Sequence, residues 1–189
     1  MSPLPFTSAT ASALGGPAWL QARRVAAAES FVASSLPSTD DEVWRYSRIG
    51  ELDLARYAPV SNAAPVSNAA PVASFAAPPV VLEPAARVVV VDGTVRAVTV
   101  DDALTAAGVY VGPLAGAPAA ASLLGSAMAE ATDVFATMND AFAREPIAVV
   151  VPRGVTVGGP ILVEHHIVTA GAAVFRMFLN LDDRLAAIC

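Results

Sequence analysis

Apolar positions along the chain divide it into a helical first half and a strand-rich end. Trp19, Leu20, Ala22, Ala26 and Val32 recur among alanines and favour a helix that opens at Gly16-Pro17, with proline in its first turn, and runs to about Ala33. Leu36-Pro37 ends it. The Ser38-Thr39 pair, then Asp40-Asp41-Glu42, then Val43-Trp44-Arg45-Tyr46 predict a short capped helix with carboxylates at its positive end. Ahead of both, Met1–Gly16 is small, polar and uncharged, and is expected to be disordered. Later, Ser126 stands where it can cap a helix running to about Arg144, with Met128, Ala131, Phe135, Met138 and Phe142 at three- and four-residue steps on one packing face.

The strand signals have a different period. Val88–Val91, Asp92-Gly93 and Thr94–Val98 read as strand, tight turn and strand. After Pro146 come Ile147–Val151, Val155–Val157, Ile161–Val168 and Ala172–Leu181, separated by Pro152-Arg153-Gly154, Gly158-Gly159-Pro160 and Ala170-Gly171. Nothing is left over for crossover helices, so successive faces of a β-solenoid fit better than strand–helix alternation. The sequence stops in apolar Leu185–Ile188, which is expected to leave the last rung uncovered.

Between the two halves the sequence repeats APVSNA, APVSNA and APVAS from Ala58. A hexapeptide solenoid needs an inward aliphatic in each of many turns, whereas these few copies carry proline and asparagine. The stretch 58–82 is read as a flexible insertion.

Composition narrows the chemistry. All 11 basic residues are arginine against 17 acidic ones, a net charge of −6, and no basic run exceeds Arg23-Arg24, which reads as a solvated helix face. Nucleic-acid binding is disfavoured, since neutralising phosphates needs a basic surface. A mean hydropathy of +0.57 raises the question of a membrane. The uncharged stretches Ala58–Leu82 and Ala103–Ala129 are broken by prolines and glycines, so neither reads as a span. Gly108, Gly112 and Gly116 match a small-residue packing pattern, but Pro113 between them favours a loop. The first residues lack a basic leader and a continuous apolar run, so no secretory signal is visible, and a cytoplasmic location is expected.

Candidate catalytic groups are few. The single Cys189 leaves no set of thiolates for a zinc or iron–sulfur site. His165 and His166 are adjacent and on a strand point to opposite faces, one packed and one exposed, so a shared metal is disfavoured. With Glu164 they nonetheless define the alternative reading, a metal-dependent enzyme, or a small β-barrel or solenoid binding protein. Without lysine there is no P-loop for ATP hydrolysis, and no G-x-S-x-G nucleophile motif occurs. Catalytic, cofactor-binding and metal residues are all expected to be absent. Trp44, Arg45 and Tyr46 are the candidate packing or partner contacts, with packing of the helical region onto the β-region as the stronger reading.

Three collinear segments resemble the SufB/SufD family. Leu36-Pro37 with DDEVWRYSRI (Asp40–Ile49) is similar to a Leu-Pro segment leading into an acidic-x-Trp-basic-Tyr element. FATMNDAF (Phe135–Phe142) is similar to a Phe-x-x-Leu/Met-Asn-x-Ala-Phe helix, and VVVPRGVTVGGPILVEH (Val149–His165) to the Val-Pro-x-Gly-Val start of the family's β-helix. The Trp-Arg-Tyr element favours the SufD side, while the proline-rich repeat departs from the pattern and the sequence after Phe175 follows it loosely.

The resemblance implies an α+β fold, with an N-terminal helical region followed by the opening turns of a right-handed β-helix, incomplete at the C-terminus. The organisation expected is a disordered 1–16, a helical region 17–57, the insertion 58–82, a hairpin plus helix over 83–145, and the start of a truncated β-helix core over 146–189. It also implies a scaffold role in SUF iron–sulfur cluster assembly, as a SufD-like subunit of a SufBCD-type complex and not an enzyme. Partners would be a SufB-like subunit and a SufC-like ATPase, with no nucleic acid, no membrane and no cofactor held by this chain alone. Cluster-forming and ATPase-docking residues of the family would lie beyond Cys189.

Overall fold

Thr7 starts the first helix. The computed structural model describes residues 5–60, 83–117, 120–124, 131–175, 178–182 and 185–188. In it the Thr7 hydroxyl accepts from Thr10 N at 3.2 Å, and the Thr10 hydroxyl accepts from Thr7 N at 3.2 Å. This reciprocal cap opens α1 (Ser8–Ser12). Gly15 and Gly16, at φ 68° and 99°, then turn the chain into α2 (Ala18–Ala33). The expectation of disorder over Met1–Gly16 is corrected for residues 5–16. Phe6, Ala11 and Leu14 are buried, so this segment has an apolar face that offsets the entropy of ordering it.

α2 buries Leu20, Arg24, Ala28 and Phe31, about one residue per turn. It packs against α1 and α5 (Val134–Phe142). Two short helices, α3 (Asp102–Ala106) and α4 (Ala120–Leu123), lie between. α5 begins later than the pattern predicts, because the Asp133 carboxylate accepts from Ala136 N at 2.8 Å and fixes the cap there. Ser126 and Met128 lie outside the described residues, and Ala131 is exposed ahead of the helix. Phe6, Ala28, Phe31, Leu54, Met138 and Phe142 form the helical core, with Phe175 packed on it.

The short helix expected over Asp40–Tyr46 is replaced by turns. Trp44 N donates to Asp41 O and Ser47 N to Trp44 O, both at 2.9 Å. So short a helix is marginal unless it buries an apolar face, and here Val43 and Tyr46 point to solvent. Two 3-10 turns follow, at Ile49–Glu51 and Leu54–Arg56.

Strands fill the rest. β1 (Ala58–Pro59) runs parallel to β7 (Ala172–Ala173), so the first residues assigned to the insertion are structured; 61–82 lie outside the described residues. β2 (Ala86–Val91) and β3 (Thr94–Val100) form the expected hairpin, with Asp92 and Gly93 at φ 48° and 76°. Two positive φ values give the primed turn that matches strand twist. On its other edge β2 pairs in parallel with β6 (Ile161–His166). This middle position explains the unbroken valine run, since Val88 to Val91 are all buried.

A four-stranded sheet has the order β4 (Tyr110–Pro113), β5 (Ile147–Val151), β8 (Phe178–Asp182), β9 (Leu185–Ile188). β4–β5 and β8–β9 are antiparallel, and β5–β8 is parallel with Ile147 opposite Phe178. After leaving β5 the chain therefore lays β6 on β2 and β7 on β1, then returns as β8 alongside β5. Val155–Val157 is a connection and not a strand, although both valines pack on the β-core around Val88, Val90, Val111 and Ile147. The architecture is α+β with open sheets and, among the described residues, no closed barrel.

Candidate functional site

The turn from Ser38 to Ser47 presents the residues singled out for contacts, and it separates them. Trp44 is half-buried and meets Phe135 of α5 edge-on, with centroids 5.2 Å apart and planes at 64°. Its ring contact is thus with the helical layer. Arg45 is exposed and pairs with Glu42 at 2.8 Å. Tyr46 is 91% exposed, and Val43, which the sequence reading passed over, is 87% exposed. No sequence signal marked Val43, because the carboxylates before it favour the very helix expected there.

The turn is built, not loose. Ser38 N donates to the Asp41 carboxylate at 2.8 Å and Asp40 N to the Ser38 hydroxyl at 3.1 Å. The Ser47 hydroxyl donates to Trp44 O at 2.7 Å, and the next turn is held by an Arg48–Glu51 ion pair. That pairing raises the Arg48 guanidinium above its usual range. Such exposed pairs contribute little to stability but limit the shapes the loop samples.

A second constellation lies on the paired strands β2 and β6. The Arg87 guanidinium donates to both Glu164 oxygens, Nε at 2.5 Å and the second nitrogen at 3.0 Å. His166 Nε2 stands 3.6 Å from the same carboxylate, on the same face of β6. The Arg87 hydrogen bond holds the Glu164 carboxyl below the usual carboxylate range, and His166 adds to this. His165 and His166 take opposite faces, as their adjacency requires, but both are half-buried, which corrects the expectation of one packed and one exposed. Among the described residues no group of three or more His, Cys, Asp or Glu is arranged to hold a metal ion. Cys189 lies outside them.

Arg24 departs furthest from its sequence reading. Expected on a solvated face, it is 1% exposed and donates to Gly15 O at 2.6 Å, Ala143 O at 2.8 Å and Arg144 O at 2.5 Å. Burial lowers its pKa to about 10, with Glu145 drawing it partly back. The carbonyls just past α5 need donors, and this guanidinium supplies them. Its neighbour Arg23 pairs with Asp140 of α5 at 2.5 Å. A cavity of about 280 Å³ opens beside Arg24, lined also by Gly16, Thr94, Arg144 and Glu145. Both terminal nitrogens of Arg24 are committed to the loops around it, which gives Arg24 a structural role.

Among the described residues no helix is long and apolar enough to cross a membrane. A family model, described as the SufBD protein N-terminal region, matches residues 10–163. No curated protein matches the chain.

Proposed function

Because the chain belongs to the SufBD family, whose role is in iron–sulfur cluster assembly, we propose that it is a SufD-type scaffold subunit, acting beside a SufB-like subunit and a SufC-like ATPase in a SufBCD-type complex. The observation that carries this reading is the family match across most of the chain, through both the helical layer and the hairpin. The Trp44-Arg45-Tyr46 element supports the SufD side. The course of the chain supports the opening of a β-helix, because β6, β7 and β8 each stack in parallel on an earlier strand, namely β2, β1 and β5, and its right hand is what the family resemblance implies. In this reading the chain catalyses no reaction, holds no cofactor alone, and works in the cytoplasm. The cluster is cargo of the assembled complex.

Co-expression with the SufB-like and SufC-like subunits tests the proposal, with a stable complex expected on affinity purification and size exclusion. The chain alone, incubated anaerobically with iron and sulfide, is expected to develop no cluster absorption. Failure to co-purify, or a stoichiometric cluster that disappears in Cys189→Ser, would sink the scaffold reading in this form.

A further inference from the structure

We propose that the Ser38–Ser47 turn is a preformed docking knob for a basic protein surface with apolar recesses, Val43 and Tyr46 being the anchors. This deepens the scaffold reading, on which it rests for the existence of a partner. Isolated exposed apolar residues are ordinary. Here Val32, Leu36, Val43 and Tyr46, at 63%, 40%, 87% and 91% exposure, come from one short stretch of chain. The two most exposed flank Trp44, which is fastened to Phe135.

Order is what distinguishes the turn from a loose loop. Asp41 N to Ser38 O, Trp44 N to Asp41 O and Ser47 N to Trp44 O are three successive turn hydrogen bonds, and Glu42–Arg45 braces the outer side. The ordering cost that usually weakens loop-mediated binding is therefore met before any partner arrives. Tyrosine offers a large amphipathic area with two rotatable angles, the character of an interface anchor.

Charge identifies the occupant. Within the turn, Asp40, Asp41 and Glu42 stand against one cation, Arg45, which pairs with Glu42; in the two 3-10 turns that follow, Glu51 and Asp53 stand against Arg48 and Arg56, with Arg48 paired to Glu51. The Ser38–Ser47 turn therefore has a net charge of −2, three carboxylates against one guanidinium, and a complementary surface is basic. A second copy of this chain is disfavoured, because self-pairing would bring these carboxylates together on a chain of net charge −6.

The test uses the immobilised full chain and a phage-displayed random peptide library, so it needs no knowledge of the natural partner. Selected peptides are expected to combine Lys or Arg with aliphatic or aromatic residues and to bind less tightly as salt rises. Tyr46→Ala is expected to weaken them at least about thirtyfold and Val43→Ala about tenfold. Asp40→Asn with Asp41→Asn should flatten the salt dependence. Both apolar substitutions are at exposed positions, and unchanged thermal melts verify that the fold is intact.

Four outcomes overturn the proposal: no enrichment, enrichment of acidic or uncharged peptides, binding indifferent to Tyr46→Ala and Val43→Ala, or concentration-dependent dimerisation that Tyr46→Ala removes. Failure of the chain to join SufB- and SufC-like subunits leaves the peptide result readable, so the two ideas fail separately.

Discussion

Replacing Phe6 tests whether the first residues belong to the core. Its ring is 1% exposed and touches three others edge-on, Phe31 at 6.3 Å, Phe142 at 5.4 Å and Phe175 at 6.3 Å. Those partners come from α2, α5 and the segment after β7, so one side chain joins four parts of the chain. Truncating a buried phenylalanine to alanine costs about 3–5 kcal/mol through lost burial and the cavity left behind. For a domain of this size about 1 kcal/mol corresponds to 2–4 °C, which puts Phe6→Ala at roughly 6–20 °C below the parent. Phe6→Leu keeps much of the volume and loses the ring-edge contacts, a penalty of about 1–2 kcal/mol. Far-UV circular dichroism melts on the full chain measure both. If Phe6→Ala melts within about 3 °C of the parent, a shift corresponding to about 1 kcal/mol, the segment contributes no core and its burial is refuted.

Three further expectations follow from buried polar groups. Arg24→Met should cost about 2–4 kcal/mol in urea unfolding, because carbonyls of two loops lose their donor, and Arg24→Lys should not restore it, since an ammonium lacks the planar fork. Asp92 is buried, and its carboxylate accepts from Val168 N, Thr169 N and the Thr169 hydroxyl, so Asp92→Ala should lose about 2–3 kcal/mol and raise amide exchange at Val168 and Thr169. Glu164, held below its usual range by Arg87, contributes stability that is complete above the unfolded carboxylate pKa and is lost as the pH falls through the lower folded one. The melting temperature of Glu164→Gln should therefore lie below the parent's at neutral pH and converge with it in acid; a constant gap would refute the assignment.

How far the sequence could be read depended on the range of the interactions involved. The β2–β3 turn was legible because Asp92-Gly93 satisfies a local backbone demand, and α2 because alanines favour helix without help. FATMNDAF was legible in its packing stripe, though its cap was misplaced, since Asp133 competes with Ser126 for the same role. Phe6 was not legible, as nothing within its own segment signals that three distant rings await it. Arg24 was hidden for the same reason: its acceptors at Ala143 and Arg144 lie 119 and 120 residues away. At the candidate site, Trp44, Arg45 and Tyr46 stood out together by composition. Their division into an anchor and an exposed face follows from turn geometry, which no periodic pattern encodes.

The parallel pairing of β2 with β6 sets a delay during synthesis. Arg87 and Glu164 are 77 residues apart, and at about 5–20 residues per second the ribosome takes roughly 4–15 s to travel between them. Throughout that interval the hairpin has one open strand edge carrying four consecutive valines, the kind of segment that pairs with neighbouring nascent chains. Arg87 and Asp92 bracket that run with opposite charges, which discourages wrong pairing while β6 is unmade. When β6 arrives, Glu164 takes up Arg87, and the backbone just beyond the strand takes up Asp92. The two guards of the nascent edge thus become the fastenings of the finished sheet.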